Sequence, residues 1–324
     1  MDNVTHSLTG WALGQAGLKT KARKGLAALI LGANMPDIDV FFQWAPWEPL
    51  ATHRGFTHSL VAGVLVMPPI LCGLLLLLDR WQQWRGIRFR SGLEMHKGWL
   101  LALCYLGALT HPLLDLQTTY SVQLFSPFSG AWWHSDSVFI IDVWLWLIIG
   151  GTIWLSKRME KNGEPDWRRP VQAAIGIALA YIGLNLGISQ AAARSVERRH
   201  PQASAIFASP PPFLFWRRGM SWRERGHLGF ADFDPAAGGL GPDKPTVGDN
   251  MRDPVVRAAI RRDPRLAKFL KRSILPRAEV FREKCRLRIA IGDARYGIGQ
   301  DSRLAREAVF STGGPGCLRS TSVR

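Results

Sequence analysis

The sequence predicts a mainly α-helical membrane bundle of about four spans, with a short N-terminal helical hairpin and a small strand-containing C-terminal domain. Three observations carry that expectation. Long apolar runs recur before residue 192, and a bilayer crossing takes roughly 20 apolar residues. Many of the 14 tryptophans lie near the ends of those runs, as aromatic rings do at membrane interfaces. After residue 191 the chain becomes polar and rich in Arg, Pro and Gly. It therefore divides into a membrane-embedded domain, 1–191, and a basic soluble domain with flexible segments, 192–324.

Residues 4–18 and 25–34 read as helices too short for a full crossing, a hairpin that dips into the membrane or packs on the bundle. Residues 60–78 form the first long run, and Pro68 and Pro69 should kink it. The runs 98–116 and 138–155 follow, and 171–191 is a weaker fourth. In the tail, 213–216 and 286–291 read as short strands, the second with alternating R-L-R-I-A-I character. Residues 235–253 read as loop. A mobile middle and a disordered end are expected there.

Charge orients the bundle. Basic residues gather at 19–24, 80–97 and 157–169, whereas 117–137 holds no Lys or Arg. Alternation puts the three basic loops on one side, which the positive-inside bias makes cytoplasmic. The net charge of +16 is spread between these loops and the tail, so membrane lipid, and not nucleic acid, is the expected partner. The four cysteines contain no C-x-x-C pair, which excludes a zinc ribbon or a dithiol redox motif. The first 20 residues have no cleavable-signal pattern.

The chemistry lies in the histidines. Six of eight fall in the first 134 residues. His6 opens the first helix, Asp37 and Asp39 follow the second, and His53 and His58 precede the first long run. His111 and Asp115 stand four apart on one helix face. All of these fall on the side opposite the basic loops, although the orientation used only Lys and Arg. Imidazole and carboxylate together suit a hydrolytic metal ion. The expected ligands are His6, Asp37, His53, His58, His111 and Asp115, holding one or two divalent transition-metal ions, zinc foremost. Asp39 is the candidate base and Arg54 the candidate hook for a phosphate or other anion. His134 and Asp136 read as outer members. The same groups also suit a non-enzymatic protein whose helices they hydrogen-bond together. A transporter is less favoured, because its polar groups should run through the membrane depth.

At four motifs the chain resembles the membrane-bound metal-dependent hydrolase family of bacterial inner membranes, the YdjM-like or LexA-binding group. They are Thr5-His6-Ser7-Leu8-Thr9-Gly10, Met35-Pro36-Asp37-Ile38-Asp39, His53-Arg54-Gly55-Phe56-Thr57-His58-Ser59 and Thr110-His111-Pro112-Leu113-Leu114-Asp115. The resemblance covers about residues 1–190. A looser likeness in the tail runs through Pro211-Pro212-Phe213-Leu214-Phe215-Trp216-Arg217 and Asp293-Ala294-Arg295-Tyr296-Gly297. It implies a multi-pass inner-membrane hydrolase. With the site on the non-cytoplasmic face, an ester or phosphoester, lipid-linked in particular, is the expected substrate class.

Overall fold

A computed structural model of the chain describes residues 1–89, 91–283, 285–296 and 305–311. Helix α1 (Asn3–Gln15) begins where the Asp2 carboxylate accepts the Val4 and Thr5 amides. Helix α2 (Gly25–Asn34) gives way to a 3-10 turn, Met35–Phe41, at Pro36. Both halves of the expected hairpin therefore form. A one-turn helix, α3 (Glu48–Ala51), and a second 3-10 turn, Phe56–His58, follow. His58 thus precedes the first long helix, which starts at Leu60 with Ser59 as its cap.

That helix is π-wound over Leu60–Val66 and α-wound as α4 (Met67–Trp84). The expected kink takes the form of a change of winding at Pro68 and Pro69, whose rings supply no amide hydrogen. Helices α5 (Lys97–Asp115), α6 (Val143–Lys161) and α7 (Arg169–Arg199) complete the helical part. Helix α6 starts later than the apolar run, at Val143, because Asp142 caps it by accepting the Trp144 and Leu145 amides. Among the described residues two helices, Leu60–Trp84 and Arg169–Arg199, are long and apolar enough to cross a membrane. The sequence predicts four. Helix α5 spends part of its 19 residues on Lys97, His111 and Asp115, and α6 ends in Lys157, Arg158, Glu160 and Lys161.

The chain folds as two compact units, Met1–Ser189 with Pro210–Trp216, and Gln190–Ser209 with Arg217–Arg324. In the first, α2 lies between α1 and α5. A side chain on Gly10 or on Gly107 would come within 2.6 Å of the Leu29 carbonyl, one from each side. Small residues at both crossings let the three backbones close on one another. Leu29, Leu71, Leu75, Leu100 and Leu103 fill one core, and Leu145, Ile149, Ile153 and Val171 another.

Residues 213–216 are not a strand. Three prolines, Pro210 to Pro212, precede them and withhold ladder donors. The segment instead lies on the helical unit: the Trp144 indole donates to the Phe213 carbonyl at 3.0 Å, and the Phe215 ring meets Trp144 and Tyr181.

In the second unit β1 (Ser204–Ser209), β2 (Arg218–Glu224), β3 (His227–Asp234) and β4 (Gly239–Leu240) pair antiparallel in that order, and β5 (Lys244–Gly248) pairs with β3. The expected loop 235–253 therefore contains two strands. Helices α8 (Pro254–Arg262) and α9 (Pro264–Leu270) each begin at an Asp-Pro step capped by the aspartate. A second antiparallel sheet runs β6 (Pro276–Glu283), β7 (Arg286–Asp293), β8 (Arg306–Ser311). The strand expected at 286–291 is β7, its Ile289 and Ile291 buried against Val256 and Leu266. The end of the chain, expected to be disordered, lies beyond residue 311 and so outside the described residues. Cys285 is disulfide-bonded, whereas Cys72 and Cys104 are free.

Asp293 holds the end of β7. Its carboxylate pairs with the buried Arg295 guanidinium at 2.9 Å and accepts the Ser273 hydroxyl at 2.7 Å and the Ile274 amide at 2.9 Å. Burial opposes its ionisation, but the hydrogen bond and charge of Arg295 outweigh that and hold the carboxyl below its ordinary range. Removing one partner of a buried pair leaves an uncompensated charge, at a cost of about 3–5 kcal/mol. Asp293→Ala should therefore lower the stability of the C-terminal unit by that order, read as earlier thermal unfolding and faster limited proteolysis after residue 217.

Candidate metal centre

Four short elements of the helical unit bring their polar side chains to one place. His6 comes from α1, Asp37 and Asp39 from the turn after α2, His53 and His58 from the segment before Leu60, and His111 and Asp115 from the end of α5. His6, His58 and His111 are fully buried, and Asp39 and Asp115 nearly so. The His6 and His111 rings stack at 3.8 Å, and His58 stands edge-on to His111 at 4.7 Å.

Local structure fixes each group. The last carbonyls of a helix lack intrahelical partners, and the Ala33 carbonyl at the end of α2 meets His111 Nδ1 at 2.6 Å. A carbonyl only accepts, so that nitrogen carries the proton and Nε2 presents a lone pair. His111 Nε2 lies 3.5 Å from Asp115 Oδ2 and 3.6 Å from Asp37 Oδ1. His58 Nε2 lies 3.2 Å from Asp37 Oδ1 and 3.4 Å from Asp115 Oδ2. His6 Nε2 is 3.5 Å from Asp115 Oδ1.

The H-R-G-F-T-H-S run has a physical reason at most of its positions. Arg54 adopts a left-handed backbone, φ 61°. A side chain on Gly55 would strike the Pro49 and Thr52 carbonyls, both at 2.7 Å. Thr57 Oγ1 lies 3.0 Å from both Asp39 Oδ2 and His58 Nδ1. Ser59 caps the helix that follows. Asp39 is the hub of the segment. Its Oδ1 meets His53 Nδ1 at 2.8 Å, and its Oδ2 accepts the Arg54 amide at 3.1 Å and faces His58 Nδ1 at 3.2 Å.

The Arg54 guanidinium is buried. It pairs with Asp115 Oδ1 at 3.1 Å and donates to Thr118 Oγ1 at 2.9 Å. The Met1 amino group also hydrogen-bonds Asp115. Thr57 and Thr118 are parts of the site that sequence reasoning passes over. Thr57 was visible inside the motif, and Thr118 lies one turn beyond Asp115.

Protonation states follow from the surroundings. Burial raises the cost of charge on Asp37 and Asp39. The hydrogen bond of His58 to Asp37, those of His53 and His58 to Asp39, and the neighbouring imidazole charges outweigh it, so both carboxyls titrate below their ordinary range. Burial first, then the charges of His111, the chain's amino group, His58 and Arg54, push His6 well below the usual imidazole value. Ionised acids beside a neutral imidazole are the forms that bind a cation.

The donor set fits a metal ion. Among the described residues three groups of ligand atoms overlap, with Asp37 and His53 half-buried and the rest buried: His6, His111 and Asp115; Asp37, His58 and His111; Asp39, His53 and His58. Within them His6 Nε2, His111 Nε2, Asp37 Oδ2 and Asp115 Oδ2 are buried with no hydrogen-bond partner. Unsatisfied buried polar atoms are costly, and a shared cation satisfies them together. His134 and Asp136 pair with each other at 2.8 Å and belong to none of the three groups. His96 caps α5, and His200 lies between Glu224 and Asp243 in the other unit.

The YdjM inner membrane protein family model matches residues 1–192, more than half of the chain, and the chain belongs to that family. The matched span contains all four site motifs. The family's name and the two apolar helices point to a membrane protein. No curated protein and no solved structure matches the chain. Elemental analysis of detergent-purified protein tests the centre: His58→Ala, His111→Ala and Asp37→Ala should lose the metal that the unaltered protein and His200→Ala retain.

Proposed function

We propose that this member of the family is a metal-dependent hydrolase of the inner membrane, acting on an ester or phosphoester. One observation supports it above the others. His58 Nε2 and the orphaned atoms of His6, His111, Asp37 and Asp115 face one another inside an apolar bundle. Mixed imidazole and carboxylate donors suit zinc. When bound, such an ion lowers the pKa of a coordinated water to about 7 and supplies hydroxide at neutral pH.

The chain's own residues divide the remaining work. Asp115 and Asp37 supply carboxylate oxygens, and Arg54 holds Asp115 in place instead of standing open to substrate. Asp39 acts through its neighbours. By accepting at His53 Nδ1 it leaves Nε2 of that ring unprotonated and directed away. His53 is 41% exposed, whereas the His58 ring, 5.4 Å away between centroids, is fully buried. An oriented His–Asp pair at the edge of the site can take a proton from the attacking water and return it to the leaving oxygen. A second reading has its own support, because Asp39, His53 and His58 are also a possible cation site. In that case His53 is a ligand and two ions are bound.

Helices α5 and α6 are each 19 residues long, about 28 Å at 1.5 Å per residue, close to the ~30 Å hydrocarbon core. We read both as crossings beside the two apolar helices, with the basic loops cytoplasmic and the centre on the opposite face. The disulfide at Cys285 supports a tail outside the cytoplasm, since disulfides persist in oxidising compartments. A reporter fused after residue 324 should then be active only outside the cytoplasm.

His53→Gln separates the two metal readings. With His53 as the proton carrier, metal content stays at the unaltered level and turnover of a nitrophenyl phosphoester falls about 100-fold. Loss of one ion of two assigns His53 to a second metal. A metal-loaded protein that turns over no ester leaves the centre a structural one.

A further inference from the structure

We infer that the turn carrying the acids of the centre is also a bilayer-facing surface, and that the substrate reaches the site from the membrane as a long-chain lipid phosphoester. The inference rests on the hydrolase reading above and names its substrate class.

The 3-10 turn Met35–Phe41 has two characters. Asp37 and Asp39 turn to His58 and His53, while Ile38, Val40 and Phe41 are exposed, Phe41 by 71%. Three residues on, Trp44 is 78% exposed. Its indole donates to the Phe41 carbonyl at 2.8 Å, so its one hydrogen-bonding atom is satisfied internally and the ring faces outward bare. On the other loop Phe128 is 85% exposed. That loop is tied to the histidine segment, because the Gln123 amide donates to the Arg54 carbonyl and the Leu60 amide to the Leu124 carbonyl, both at 2.9 Å.

The apolar surface is continuous in sequence with a membrane helix. His58 stands two residues before Leu60–Trp84, a helix long and apolar enough to cross, and Leu65 on that helix is itself exposed. The centre therefore lies at the end of a crossing segment, at the depth of lipid headgroups. Exposed Trp and Phe at that depth are interfacial anchors. Residues 35–53 and 117–137 contain no Lys or Arg. The surface thus has no cation to hold a free soluble anion or an acidic peptide, and it offers aromatic rings to acyl chains. A lipid phosphoester suits both parts, with its chains on the rings and its phosphate at the buried donors.

The test uses the full chain in nanodiscs. Trp44 fluorescence, taken as the difference between the unaltered protein and Trp44→Phe, should be quenched by lipids brominated on their acyl chains. Absence of quenching overturns the bilayer-facing surface. The unaltered protein should hydrolyse a long-chain lipid phosphoester with higher kcat/KM than a short-chain soluble one. In Phe41→Ser/Trp44→Ser that ratio should fall about tenfold, the scale set by losing one buried large side chain, with metal content unchanged. Turnover of the soluble ester alone, or a ratio that the double variant leaves unmoved, overturns the substrate class and leaves the hydrolase reading standing. Turnover of neither ester by metal-loaded protein sinks both, and the quenching then decides the surface by itself.

Discussion

The fold of the helical unit is governed by the cost of burying acids and imidazoles in an apolar bundle. An isolated carboxylate does not survive there ionised without a partner. Asp39 and Asp115 are each almost fully buried, yet they differ in how they are compensated. Asp39 is satisfied by the chain, through two histidines, a threonine and a backbone amide. Asp115 has Arg54 on one oxygen and faces His58 and His111 with the other, which takes no hydrogen bond. One acid is complete and the other is not, and this difference leaves Asp115 the one with an oxygen free for a cation.

Geometry that tight requires close backbones. Helix α2 can hand its Ala33 carbonyl to His111 only because Gly107 lets α5 approach it, and Gly10 does the same for α1. The glycine in Thr5-His6-Ser7-Leu8-Thr9-Gly10 therefore belongs to the site as much as the histidine does. It is a packing residue that sets the position of His6 relative to His111.

Much of this was legible in the sequence, and the parts that were not share a cause. Residue type and the expected side of the membrane gather His6, Asp37, His53, His58, His111 and Asp115, because Lys and Arg counts carry that expectation independently of the histidines. Roles were harder. Arg54 reads as an anion hook from its composition alone, and only folding shows its guanidinium against Asp115 and Thr118. Asp39 reads as a base from its residue type alone, and only folding shows His53, Thr57, His58 and the Arg54 amide converging on it. The 213–216 run reads as a strand because apolar residues look alike in a sheet and on a bundle. Its prolines were the available signal, while its partners Trp144 and Tyr181 lie far away in the chain.

The imidazoles are not equivalent as candidate ligands. His111 has Nδ1 pinned by a carbonyl, and His58 and His53 have Nδ1 pinned by Thr57 and Asp39, so the opposite nitrogen of each is committed in advance. A hydrogen-bond partner on the far nitrogen fixes ring orientation and raises the basicity of the other nitrogen. His6 has neither nitrogen hydrogen-bonded, and a stack on His111 is its main restraint. Nothing in the chain sets its tautomer. Of the buried rings it is therefore the one whose orientation the protein constrains least, and the one that a bound cation would have to orient.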